Sequence, residues 1–234
     1  MPVYELGASY VFPAVERAEP DGLLAIGGGL EAERLLAAYA AGIFPWYSEG
    51  QPILWHSPDP RMVLRPRELK ISKSMARTLR HPLPEIRCDT AFREVVLQCA
   101  AMPRPHQTGT WISPEMTDAY ADLHERGVAH SVEAWLDERL VGGLYGVSLG
   151  GCFFGESMFT IERDASKVAF VRLVRQLVDW NFDLIDCQVY SDHLASLGAV
   201  EMARGKFLKL LRTSLQRETR RGPWRLSEAC AAVK

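Results

Sequence analysis

Between residues 130 and 159 three apolar stretches follow one another with almost nothing between them: "HSVEAWL", "RLVGGLYGVSL" and "CFFGESMF". The joints are "DE" and "GG". Two-residue connections join antiparallel neighbours only, because a parallel return needs a crossover of a dozen or more residues. The stretch therefore predicts an antiparallel meander. "SKVAFVRLVRQLVDW" (166–180) then has the period of an amphipathic helix, and "LIDCQVY" that of a further strand. Upstream, helices are expected from Ser72 or Ser74 to about Arg80, over 89–102, and over 113–127. The last has Ser113 as N-cap, Pro114 at N1 and Gly127 beyond its end. Downstream, "SDHLASLGA" and "RGKFLKLLRTSL" read as a short and a basic amphipathic helix. This order predicts an α+β fold with a mostly antiparallel sheet. Residues 1–61 are punctuated by the turn signals "EPDG", "IGGG" and "SPDPR", with one helix near 31–41. They read as a small N-terminal lobe, leaving 62–234 as the larger domain.

Composition narrows the classes. Of 234 residues, 47% are hydrophobic and 24% charged, as in a soluble globular protein. No apolar run approaches the ~20 residues of a membrane helix, and the N-terminus lacks the pattern of a secretion signal. Five cysteines without CxxC spacing point to a reduced, cytoplasmic protein. Net charge is only −2, yet residues 61–80 hold seven basic side chains and one acid, and residues 204–225 eight and one. These runs are basic patches or solvated helix faces.

Several residues suggest chemistry. Asp186 and Gln188 lie two apart within "LIDCQ". In a regular strand both would point from one face, with Ile185 and Cys187 opposite. Burying such polar groups unpaired costs about 2–7 kcal/mol each. Glu156 sits among Phe153, Phe154, Met158 and Phe159, so it needs a partner or a raised pKa. Trp46 and Trp111 occupy loop-like segments and suit either base stacking or packing between lobes. "GVSLG" (146–150) matches GxSxG, but a strand rather than a helix follows, which argues against a serine hydrolase. No His or Cys cluster has metal-ligand spacing, and "IGGGL" lacks a phosphate-loop pattern.

The motifs "GLLAIGGGLEAERLLAAYAAGIFPWYSEGQPILWHSPDPRMVL", "ISKSMARTLR", "AYADLHERGVAHSVEAW", "FGESMF", "LIDCQ" and "HLASLGA" occur together and in order. Over residues 12–211 the chain thereby resembles the leucyl/phenylalanyl-tRNA–protein transferases. Gly29, His56 and Lys70 depart from that pattern. The resemblance implies a larger domain of acetyltransferase (GNAT)-like fold and no cofactor. It implies transfer of Leu or Phe, less readily Met, from aminoacyl-tRNA to the α-amine of proteins beginning with Arg or Lys, marking them for N-end rule degradation. A monomer without membrane contact is expected. By position, Trp46 and Trp111 would hold the terminal adenosine. Leu144, Phe153, Met158, Phe170, Leu173 and Ile185 would receive the Leu or Phe side chain. Lys73, Arg77 and Arg80, at i, i+4 and i+7, would meet the acceptor stem. Glu156, Asp186 and Gln188 would form the catalytic centre, with Asp186 orienting Gln188 and attracting the cationic acceptor. The competing classes are an acetyl-CoA N-acyltransferase and a non-catalytic tRNA binder.

Overall fold

The computed structural model describes residues 3–80, 84–103, 110–227 and 230. In chain order its elements are β1 (Tyr4–Leu6), β2 (Leu23–Gly27), α1 (Ala32–Ala40), β3 (Phe44–Pro45), β4 (Leu54–His56), β5 (Arg61–Leu64), α2 (Lys73–Thr78), β6 (Glu85–Cys88), α3 (Phe92–Ala101), α4 (Pro114–Glu125), β7 (Ala129–Leu136), β8 (Arg139–Leu149), β9 (Cys152–Thr160), α5 (Ala165–Asp179), β10 (Leu184–Gln188), α6 (Asp192–Ser196), β11 (Val200–Met202) and α7 (Arg204–Ser214).

The expected meander is β7–β8–β9. Asp137 and Glu138, joining β7 to β8, both have positive φ (48° and 58°), the signature of a type I′ turn whose twist matches the strands it joins. The meander is the nucleus of a seven-stranded sheet of order β11-β5-β10-β9-β8-β7-β6. All its pairings are antiparallel except β9 with β10. That parallel pair needs a crossover, and α5 supplies it. A second, four-stranded sheet of order β1-β2-β4-β3 is built from residues 4–56. The chain passes from one sheet to the other between His56 and Arg61.

Helices cover both faces of the larger sheet. Adjacent residues of a strand face opposite ways, and Gly142 and Gly143 of β8 use this. A Cβ on Gly142 would lie 2.6 Å from the Ala165 Cβ of α5, and one on Gly143 3.5 Å from Val95 Cγ2 of α3. The missing side chains let both helices approach. The α5 face buries Val168, Ala169, Phe170, Leu173, Val174 and Leu177, which confirms its amphipathic pattern. On the other face, a single apolar cluster runs from Leu24, Leu35, Tyr39 and Trp55 through to Val95, Tyr120 and Phe154. The residues of the small sheet thus share a core with the larger one.

Two local expectations change. The helix expected to reach about Arg80 ends at Thr78, with Leu79 as its C-cap. Met75 and Leu79 are its buried residues, docked on Val168 and Val171 of α5. Strands β5, β6 and β11, three or four residues each, were not expected, because so few residues show no period. His81 and His106 lie outside the described residues.

Candidate active site

Strands β9 and β10 pair over three positions only: Leu184 with Cys152, Ile185 with Phe153, and Asp186 with Phe154. Beyond Phe154 and Asp186 they part, and a cavity of about 420 Å³ opens there. Each strand carries a bulge at that point. On β9, Gly146 faces Gly155 and Tyr145 faces Ser157, so Glu156 is the extra residue. On β10, Asp186 faces Val63 and Gln188 faces Met62, so Cys187 is the extra residue. A bulge adds one unpaired residue and re-aims the side chains beside it. Gln188 also has φ of +64°, a left-handed conformation that non-glycine residues adopt at a cost.

The bulge overturns the expected alternation. Asp186 and Gln188 do not present side by side. The Gln188 side chain lines the cavity together with Ile185 and Cys187, whereas Asp186 is not part of its wall. Asp186 is completely buried and gripped by Arg61, whose Nε donates to Oδ1 at 2.8 Å and whose Nη2 donates to Oδ2 at 2.6 Å. The Arg61 guanidinium is itself sandwiched between the rings of Phe44 and Phe207, at 4.7 and 4.8 Å. Paired with Arg61 behind the cavity wall, Asp186 is not placed to meet a cationic acceptor, which departs from that expectation. Its link to Gln188 is through the main chain: Oδ1 accepts the Gln188 backbone N–H at 2.9 Å.

The polar side chains that do meet at the cavity are Gln188 and Glu156. Gln188 Nε2 donates to Glu156 Oε1 at 2.9 Å, which turns the carboxamide oxygen away from the acid. Glu156 accepts two further bonds, from Tyr39 Oη at 2.7 Å and Tyr120 Oη at 2.9 Å, and those two hydroxyls touch each other. Tyr39 comes from α1, Tyr120 from α4 and Glu156 from β9, so three elements converge on one carboxyl. Burial pushes its pKa up to about 7, against the three hydrogen bonds that lower it, with the Asp186 charge adding to the rise. Burial, then the Glu156 charge, holds both tyrosines well above the ordinary phenol range, so they stay protonated donors. Cys187 lies on the wall instead of facing away from Gln188. Burial pushes its thiol up, so it is a neutral wall group and not a nucleophile.

Trp46 and Trp111 both line the cavity, as do Leu144, Phe153, Met158, Phe170 and Ile185. Leu173 does not; it is fully buried behind this wall, within the cluster that contains Phe153 and Phe170. Trp46 is 38% exposed, so a face is available to a ligand. His56, at one of the positions departing from the family pattern, packs edge-on against Trp46 with centroids 5.7 Å apart. Lys73, Arg77 and Arg80 are exposed and lie outside the cavity wall. Of the groups bonded to the candidate centre, Arg61, Tyr39 and Tyr120 were missed from sequence. Arg61 opens the basic run 61–80, where nothing in the sequence marks it as buried. The one signal for Tyr39 is a lone aromatic in the alanine-rich "LLAAYAA".

Comparisons with known proteins give the family. A family model described as Leucyl/phenylalanyl-tRNA protein transferase matches residues 63–212, and one for the N-terminal domain of the same proteins matches residues 28–59. The chain is 56% identical to a protein named leucyl/phenylalanyl-tRNA–protein transferase from Myxococcus xanthus, covering 99% of each. It is 59% identical to one so named from Anaeromyxobacter sp. (97% of this chain, 96% of the other) and 58% identical to one from Nitratidesulfovibrio vulgaris (93% of each).

Proposed function

The chain belongs to the leucyl/phenylalanyl-tRNA protein transferase family, and from that premise we propose how its cavity divides the work. It is an aminoacyltransferase. It moves Leu or Phe from aminoacyl-tRNA to the α-amine of proteins that begin with Arg or Lys, the mark of N-end rule degradation.

The donor ester is already activated, and a neutral α-amine, of reference pKa roughly 7.7–8.0, attacks it near neutral pH. The main demand is to bring the two ends together, which by itself lowers the barrier by up to about 7–11 kcal/mol. Trp46 and Trp111 hold the terminal adenosine. Leu144, Phe153, Met158, Phe170 and Ile185 take the Leu or Phe side chain, and Leu173 backs them. The Gln188 oxygen, turned away from Glu156, accepts a hydrogen bond from the attacking amine. Glu156 fixes the donor amino group or the terminal ribose. A carboxamide is too weak a base to take the proton; as the new amide bond forms and the ester C–O bond breaks, the neighbouring ribose hydroxyl of the tRNA relays the proton to the departing ester oxygen. Asp186 acts one step back, as a positioning residue that fixes the Gln188 backbone. Lys73, Arg77 and Arg80 meet phosphates of the acceptor stem.

The larger domain, 62–234, reads as acetyltransferase-like, and 1–61 as the small lobe. In support, a meander, a helix and a strand parallel to the last meander strand follow in order. The turn before α5, "TIERDASK", has no glycine, which suits a donor other than a pyrophosphate-bearing coenzyme. We place the enzyme in the cytoplasm as a monomer.

The observation that carries the reading is the Gln188–Glu156 hydrogen bond where β9 and β10 part. The test is transfer of labelled Leu from Leu-tRNA to an Arg-terminal peptide. Gln188→Ala is expected to lower kcat by about tenfold or more, about 1.4 kcal/mol, with tRNA affinity nearly unchanged. An unaltered kcat removes Gln188 from the chemistry. Label arriving from acetyl-CoA instead would favour the small-molecule acyltransferase.

A further inference from the structure

The segment after α7 crosses the end of the larger sheet remote from the cavity mouth. Hydrogen bonds along its length tie it down. Thr219 Oγ1 accepts the Gly150 N–H at 2.9 Å in the β8–β9 turn. The Gly222 N–H donates to the Gly127 carbonyl at 3.2 Å. The Trp224 N–H donates to Asp89 Oδ2 at 2.6 Å, and the Ser227 N–H to Gln176 Oε1 of α5 at 2.6 Å. The segment lies beyond the stretch matched by the family model.

Its one aromatic side chain, Trp224, is only 2% exposed and enters the space between α5 and the sheet. One face stacks on His130 of β7, with centroids 3.8 Å apart and planes 9° from parallel. His130 is in turn fixed by Asp89 at 2.8 Å, so the indole has a rigid backing. The indole also meets Phe153, with centroids 5.9 Å apart. Phe153 lines the cavity wall and is itself only 1% exposed. It is confined from below as well: a Cβ on Gly146 would lie 2.5 Å from Phe153 Cζ, so that glycine is where the ring rests. Phe153 therefore packs against both Gly146 and Trp224, and in a close-packed interior these contacts fix where the ring rests.

We propose that Trp224 is a specificity-determining residue: by backing Phe153 it sets the depth of the cavity that takes the donor side chain, and hence the choice between Leu and Phe. The inference rests on the reading of that cavity as the acyl-side-chain site. A smaller side chain at 224 lets Phe153 fall back and deepens the site, which favours the longer Phe over Leu.

The test charges one tRNA with either Leu or Phe and measures kcat/KM for both with an Arg-terminal peptide. Trp224→Phe is expected to raise the Phe-to-Leu ratio at least about threefold, a fraction of the roughly tenfold or more that one methylene is worth in an apolar site. Simple loss of stability lowers both rates together and leaves the ratio unmoved, which overturns the proposal. Should Trp224→Phe fail to fold, Trp224→Tyr, which keeps a polar end, is measured the same way. Phe153→Leu is run alongside. If it shifts the ratio and the Trp224 variants do not, the proposal alone falls. If Phe153→Leu also leaves the ratio unchanged, the cavity does not hold the donor side chain, and the proposal falls with that reading.

Discussion

Asp186 and Gln188 are joined through the main chain: Asp186 Oδ1 accepts the Gln188 N–H at 2.9 Å, while their side chains go to different partners, Arg61 and Glu156. The bulge at Cys187 makes this possible, and the positive φ of Gln188 is what it costs in backbone strain. Asp186 thus holds the carboxamide in place from behind, with its own charge matched by Arg61.

That arrangement separates stability from turnover. Removing one member of a buried ion pair costs about 3–5 kcal/mol, whereas replacing both by apolar residues is often neutral or better. Arg61→Ala is therefore expected to be strongly destabilised, and the pair Arg61→Met with Asp186→Leu to recover most of the loss in a urea melt. Turnover should stay down about tenfold in the double variant, because the Gln188 N–H then has no acceptor. Full recovery of kcat would show that Asp186 does no positioning.

How much of this was legible beforehand depends on what leaves a periodic trace. The meander was, because "DE" and "GG" leave no alternative connection, and α5 was, because its apolar face repeats over fifteen residues. The bulges were not. A bulge is one surplus residue, and Glu156 and Cys187 have the same composition around them whether paired or surplus. Every error about which way Asp186 and Cys187 face follows from that. Charge counting failed at Arg61 for a similar reason: a basic run does not say which member turns inward. Leu173 and Phe170 share a helix face, and only packing decides that one reaches the cavity and the other stands behind it.

The two proposed kinds of tRNA contact should differ in salt dependence. Trp46→Ala and Trp111→Ala remove stacking faces and are expected to weaken binding of the aminoacylated end by about 1–3 kcal/mol each at every salt concentration. Replacing Lys73, Arg77 and Arg80 by Ala leaves the phosphates they would neutralise to their counterions. It should flatten the plot of log K against log salt by about 0.7–0.9 for each phosphate no longer neutralised. Filter-binding titrations over a salt series read both, and an unchanged slope in the triple variant would remove the basic cluster from the interface.

Glu156 should leave a mark on stability as a function of pH. Its carboxyl lies at about 7 in the folded protein against 4.5 ordinarily, so between these values the native state binds the extra proton. Its stabilising contribution is complete below pH about 4.5 and is lost as pH rises through about 7. Relative to Glu156→Gln, the wild-type melting temperature should fall across that window and level off above it. A difference curve that is flat from pH 4.5 to 7 would mean that the carboxyl titrates normally.

The hydrogen bond from Tyr39 to Glu156 carries a further expectation, because it links α1 of the N-terminal segment to β9 of the larger sheet. Bonds to a charged acceptor contribute about 1.5–3 kcal/mol, roughly twice the neutral value. Tyr39→Phe should therefore cost more in the wild-type background than in Glu156→Gln. A double-mutant cycle should return a coupling of about 1 kcal/mol at pH 8, where the carboxyl is ionised. At pH 5.5 the carboxyl is largely protonated, the charged bond is gone and the coupling should shrink. Tyr39→Phe should also move the inflection of the stability curve to higher pH, since one of the bonds that lowers the Glu156 pKa has been removed. A coupling that stays the same at both pH values would show that Tyr39 packs beside Glu156 without serving its charge.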